Sequence, residues 1–219
     1  MKIYQDRVEA GCLLAQALKE EGLGLGGPER GDMVVLAIPR GGVVVGAEVA
    51  RALDAPLDVW LARKIGTPGN AELAIGSVSS HGEVILDQRA IAALGVSPSY
   101  LETAVRRERE ELARRMVAFR GHDEPVRVEG RTVVLVDDGV ATGATAFSAL
   151  AALRRGRAAK RILAVPVAPL EMVAQLEEAA DQLVLLSAEA GFSAVGQFYK
   201  RFGQVSDEEV IWLLAAFSR

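Results

Sequence analysis

Two adjacent carboxylates, Asp137 and Asp138, stand where the apolar run at 133–136 stops. Gly139, Val140, Ala141, Thr142, Gly143, Ala144 and Thr145 follow, and a helical pattern begins behind them. A glycine-rich turn that enters a helix presents backbone N–H groups without acceptors, and the helix dipole adds positive potential. Thr142 and Thr145 add hydroxyls, so the turn suits a phosphate. A triphosphate-binding P-loop needs a lysine that 139–145 lacks, so a phosphate monoester fits better. The acids are suited to accept hydrogen bonds from vicinal hydroxyls, and a phosphorylated sugar offers both features in one molecule. An acidic pair alone is equally consistent with a helix N-cap beside a solvated neighbour. The apolar strand before it and the glycine turn behind it favour the ligand. Alternation along a strand predicts that the two carboxylates diverge to opposite faces.

Two other stretches could meet an oxyanion. Arg40, Gly41 and Gly42 follow the apolar run at 33–38, and Arg63-Lys64 follow the run at 56–62. Taken singly, each is commonly a solvent-facing turn. Phe192, Phe198, Tyr199 and Phe202 cluster near the C-terminus, a pattern more often a satellite core than a platform for a base.

The elements that must position these residues alternate. Residues 6–21 have helical apolar spacing ended by Gly22, and 43–53 repeat that pattern behind the first strand. Residues 72–86 read as two short strands turning at 79–82. Ser97-Pro98 is an N-cap followed by proline at the first helical position, opening a charged helix to Arg120. Beyond Asp138, helices are predicted at 144–155 and 169–180, with strands at 161–167 and 182–186. Ser206 and Glu209 have capping-box spacing at the last helix. This order predicts one α/β domain over 1–219: an open parallel sheet with helices on both faces and an antiparallel hairpin insertion. A small hood is expected from 97–125, from 187–219, or from both. Ligands in such sheets sit beyond the strands' carboxyl ends, which selects the loops at 39–42, 63–69 and 137–145.

Composition excludes some classes. The net charge of −4 argues against a general nucleic-acid surface. The cations comprise 20 Arg and only 5 Lys, a bias that suits oxyanions and equally fits genome composition or thermal adaptation. The single cysteine, Cys12, allows no intrachain disulfide and reads as a small core residue. With no signal-peptide core and no apolar run near ~18 residues, a cytoplasmic protein without a membrane span is expected. His81 and His122 have no metal-ligand spacing and read as surface residues. The glycines at 22–27 follow a helix, which favours a loop over a dinucleotide fingerprint, and 106–115 read as a solvated helix face.

The stretch VVLVDDGVATGAT resembles the phosphoribosyl-pyrophosphate signature of the type I phosphoribosyltransferases, and two further segments, AIPRGG and ARKIGTPG, resemble that family in the expected order. The resemblance spans roughly 33–167. It implies that Asp137 and Asp138 contact the ribose hydroxyls and that Gly139 to Thr145 wrap the 5′-phosphate. Arg40, Gly41 and Gly42 would form the pyrophosphate loop, while Arg63 and Lys64 would open a catalytic loop that faces the pyrophosphate. Phe192 becomes the candidate to stack on the acceptor base. The implied activity is Mg²⁺-dependent transfer of ribose 5-phosphate from phosphoribosyl pyrophosphate to a small nitrogenous base, within nucleotide metabolism. Mg²⁺ would be carried by substrate oxygens, with Asp137 and Asp138 reaching it only through water. A homodimer is compatible with the family. The alternative is a non-catalytic regulatory protein of the same fold that senses phosphoribosyl pyrophosphate or nucleotides. Ala141 stands where hypoxanthine-guanine transferases carry an acid, which disfavours those bases.

Overall fold

The computed structural model describes residues 2–23, 32–121 and 124–217. In chain order its elements begin with α1 (Arg7–Glu20), β1 (Met33–Ala37), α2 (Gly41–Leu53) and β2 (Leu57–Val59). Next come β3 (Ala62–Thr67), β4 (Asn70–Ser79), β5 (Val84–Leu86), α3 (Gln88–Ala93) and α4 (Pro98–Arg120). The chain ends with β6 (Thr132–Val136), α5 (Ala144–Arg155), β7 (Lys160–Pro169), α6 (Val173–Ala179), β8 (Gln182–Glu189) and α7 (Asp207–Ala215).

The apolar runs become a five-stranded sheet of order β2-β1-β6-β7-β8, parallel throughout. Every residue of β1 and β6 is buried, because alternate side chains enter different cores. Val35, Ala37, Val134 and Val136 meet α1, α2 and α7 on one face. Val34, Leu36, Val133 and Leu135 meet α5 and α6 on the other. β1 and β6 pair in register from Met33↔Thr132 to Ala37↔Val136, so their loops leave side by side. The order reverses between them.

A second, antiparallel sheet of order β3-β4-β5 stands apart. With α3 and α4 it encloses its own core of Ile65, Ile75, Val78, Val96, Ala104 and Leu112. The 97–120 helix therefore belongs to this smaller unit, although Met116 and Phe119 near its end join the core of the main sheet. Residues 187–217 instead pack back on the parallel sheet and its helices.

Several expectations need correction. The run at 56–62 is not one strand leading to Arg63-Lys64. β2 stops at Val59, Trp60 donates its amide to Ala37, and Leu61 turns to Ser80 Oγ, so the chain has already changed sheets. Cys12 is exposed, because it lies off the α1 stripe formed by Ala10, Leu14 and Leu18. His81 is half-buried rather than freely exposed. Its ring stacks on buried Trp60 at 4.8 Å between centroids, and burial pushes its imidazole down to about 4. Most of the 106–115 face is solvated, but Glu108 is buried, held by Arg63 and Arg107. Gly22, at φ 85°, ends α1; the remainder of the glycine loop from residue 24 and His122 lie outside the described residues.

Candidate active site

The loops at 39–42 and 137–145 flank the reversal of strand order, where an open parallel sheet leaves a crevice beyond its carboxyl edge.

Asp137 and Asp138 do not diverge. The strand ends at Val136, so side-chain alternation no longer governs them. The Asp138 amide donates to Oδ1 of Asp137 at 2.8 Å, folding the pair into a tight turn. Both carboxylates then lie against the start of α2. A β-carbon on Gly41 would stand 1.9 Å from Oδ2 of Asp138, and one on Gly42 would stand 3.0 Å from Oδ1 of Asp137. Glycine is thus required there by space rather than by turn conformation. Burial raises both acids above the ordinary carboxylate range, and the Asp138 charge adds to the effect at Asp137. The Arg7 guanidinium opposes the rise at Asp138.

Behind the acids the chain is pinned by the Val140 amide, which donates to Val167 in β7 at 2.9 Å. Gly143, at φ 74°, caps α5. A β-carbon there would stand 2.4 Å from the Phe147 ring, so both conformation and space demand glycine. Ala141, Thr142, Ala144 and Thr145 are exposed around this turn. The first-turn amides of α5 have no intrahelical acceptors, and they share the turn with two threonine hydroxyls.

In the neighbouring loop the Pro39–Arg40 peptide is cis, and α2 begins at Gly41 without a side-chain cap. Its first-turn amides open on the same end of the sheet. Arg40 is exposed and pairs at 3.5 Å with Asp207 at the start of α7.

Arg63 and Lys64 are separated by the strand that carries them. Arg63 turns to α4, with Nε 2.5 Å from Glu108 Oε2 and Nη1 3.9 Å from Glu111. Lys64 is exposed and aligned with Ser77, whose hydroxyl lies 3.1 Å from Ser148 of α5, so it projects from the other face. This stretch of β3 borders an open cleft of about 450 Å³ whose other wall includes Arg107, Glu108 and Arg115 of α4. Phe192 packs on Phe198 at 5.0 Å in a satellite cluster with Tyr4, Val167 and Tyr199. From the same segment, Val195 closes on Gly139, where a β-carbon would meet it at 2.7 Å.

Two residues that sequence spacing does not single out also meet the acids. Arg7 Nε donates to Asp138 Oδ2 at 2.7 Å across 131 residues of chain. The Tyr199 hydroxyl donates to the Asp138 carbonyl at 2.5 Å. No local pattern links either residue to the acids. The aromatic cluster at 192–202 is the one hint in the sequence that the C-terminal segment has a packed partner.

Residues 25–190 match the phosphoribosyl transferase domain family. A Mycobacterium tuberculosis protein, whose name gives it provisionally as a phosphoribosyl transferase, is 42% identical over 214 residues, covering 98% of this chain and 47% of its own length. The chain thus spans about half the length of the curated relatives it matches. The crystal structure of TT1426 from Thermus thermophilus is similar over 100% of both chains, at 43% identity and a TM-score of 0.80. The AQ2163 protein from Aquifex aeolicus shares the fold at 16% identity and a TM-score of 0.51, over 87% of this chain and 78% of its own.

Proposed function

The chain belongs to the phosphoribosyl transferase domain family, and from that premise we propose that it transfers ribose 5-phosphate from phosphoribosyl pyrophosphate to a small nitrogenous base. The observation that carries this reading is the convergence of Asp137 and Asp138 on Gly41–Gly42, with an open glycine turn and helix start behind them. Acids suited to accept from a diol, a turn suited to a phosphate and a second helix start support this reading by lying at one end of the sheet. A phosphorylated sugar bearing a second anionic group matches that set.

Displacing pyrophosphate builds negative charge on the leaving group and positive charge on the ribose. Gly41, Gly42 and Arg40 would meet the former, Asp137 and Asp138 would hold the hydroxyls of the latter, and residues 139–145 would fix the 5′-phosphate. Among the described residues no group of three or more His, Cys, Asp or Glu could hold a metal ion. The two acids fit Mg²⁺ carried on substrate oxygens and reached through water, where the ion would supply charge neutralisation. Arg63 and Lys64 are proposed to act on the pyrophosphate, which requires Arg63 to leave Glu108.

That last requirement is the observation favouring a second reading, a sensor that binds phosphoribosyl pyrophosphate or nucleotides without turnover. Pyrophosphate release across a panel of purines and pyrimidines separates the two. Release with one base, and loss of binding in the Asp137→Asn/Asp138→Asn variant by calorimetry with Mg²⁺, are expected. Tight binding without release would make it a sensor. Unchanged affinity in the double variant would sink the site assignment.

A further inference from the structure

Arg7 and Tyr199 lie outside residues 25–190, the span that matches the family model, yet the structure brings both onto Asp138. Arg7, in the first turn of α1, makes three contacts there. Its Nε donates to Asp138 Oδ2 at 2.7 Å, its Nη1 donates to the Gly203 carbonyl at 2.8 Å, and its guanidinium carbon lies 3.8 Å from the centre of the Phe202 ring. The side chains of Arg7 and Asp138 are only 11% and 14% exposed. The start of α1 is itself held by the C-terminal segment: Lys200 and Arg201 donate their amides to the carbonyls of Tyr4 and Gln5, and Arg201 pairs with the N-cap Asp6. Tyr199 grips the Asp138 backbone from the same segment.

A carboxylate on an exposed turn can rotate freely; this one cannot. One oxygen is committed to a guanidinium that is fixed at its other edge and stacked on its face. Gly41 permits the arrangement, since a β-carbon there would stand 2.7 Å from Arg7 Nε as well as overlapping Asp138. An ion pair at this burial has geometry worth more than its charge, because two fixed partners remove the entropy of holding it.

We infer that Arg7 is a positioning residue for the ribose diol, fixing Oδ2 of Asp138 so that Oδ1 is the oxygen turned to the sugar. The inference rests on the proposed transferase reading. It assigns the N- and C-terminal segments a shared task, which is to clasp the acid beside Gly41.

The test is calorimetry with Mg²⁺ on the full chain, using phosphoribosyl pyrophosphate, ribose 5-phosphate, 2-deoxyribose 5-phosphate and inorganic pyrophosphate. Arg7→Ala is expected to weaken both ribose ligands roughly tenfold or more, as for a lost hydrogen bond to a charged group. Inorganic pyrophosphate, which has no diol, should stay within about twofold, below any hydrogen bond's worth. The penalty for removing the 2-hydroxyl, present in the wild type, should largely vanish in the variant. Arg7→Lys, which keeps the charge and loses the fork, should recover part of the affinity, and it decides the matter if Arg7→Ala does not fold. An unchanged ribose affinity, or an equal loss for pyrophosphate, overturns the role of Arg7. If the wild type binds neither ribose ligand, the transferase reading itself has failed.

Discussion

Gly41 and Asp138 are packed so closely that a β-carbon on the glycine would stand 1.9 Å from a carboxylate oxygen of the acid. The two residues belong to different loops, one opening α2 and the other closing β6, so this contact joins the two halves of the crevice. Because β1 and β6 pair in register, neither loop can retreat without shifting its strand. Gly41→Ala should therefore displace Asp138 while leaving the sheet folded. The expected result is at least about tenfold weaker binding of phosphoribosyl pyrophosphate, with a stability loss of about 1–3 kcal/mol typical of overpacking. Calorimetry and urea denaturation measure the two effects separately. Wild-type affinity in this variant would show that Asp138 can move without consequence.

Arg63 is the residue whose position departs most from its proposed role. Glu108, buried in α4, holds it by a hydrogen-bonded ion pair and also takes Arg107. Glu108→Gln keeps the shape and weakens the hold. If Arg63 swings to the leaving group, Mg-pyrophosphate binding should tighten by roughly threefold, the scale of one modest electrostatic contact. Titration of both proteins with Mg-pyrophosphate checks this. No change, with normal folding, would assign Arg63 to the architecture of the smaller sheet and α4.

Away from the site, Arg120 at the end of α4 and Asp58 in β2 form an ion pair at 2.9 Å, with side chains 5% and 3% exposed. Asp58 also accepts the Val126 amide, so it ties three segments together. Asp58→Ala should cost about 3–5 kcal/mol, the range for breaking a buried ion pair by removing one partner. The midpoint of urea denaturation reads it directly. A loss below about 1 kcal/mol would mean that the pair is replaceable by solvent.

The fold is legible in the sequence where one rule governs. Continuous apolar runs mark β1, β6 and β7, and Ser97-Pro98, Gly156 and Ser206 mark helix ends that the structure keeps. The same logic places the two loops at the crevice, since each follows a strand of the parallel sheet. Legibility ends where the chain leaves a regular element. Asp137 lies one residue beyond the strand that would have enforced alternation, so the rule does not reach the acidic pair. Apolarity continues through Trp60 while the hydrogen-bond partner changes from Ala37 to Ser80, so two strands look like one. Arg7 is out of reach because its partner is 131 residues away and its helix looks ordinary by itself. Long-range side-chain pairing leaves no period in a sequence.

His81 supplies a pH dependence unrelated to ligand binding. Burial first, and the nearby Arg120 charge second, hold its imidazole down to about 4 while it stacks on Trp60. The folded chain therefore keeps this ring neutral between about pH 4 and its ordinary value near 6.5, whereas the unfolded chain protonates it. The stabilisation is complete above pH 6.5 and is lost progressively as pH falls toward 4. At pH 5 the loss should reach up to about 2 kcal/mol relative to pH 7. His81→Phe keeps a ring against Trp60 and removes the proton site, so its stability should fall less over that range. Urea denaturation of both proteins at pH 7, 6 and 5 measures the difference. Parallel curves would mean that the ring escapes to solvent and titrates normally in the folded chain.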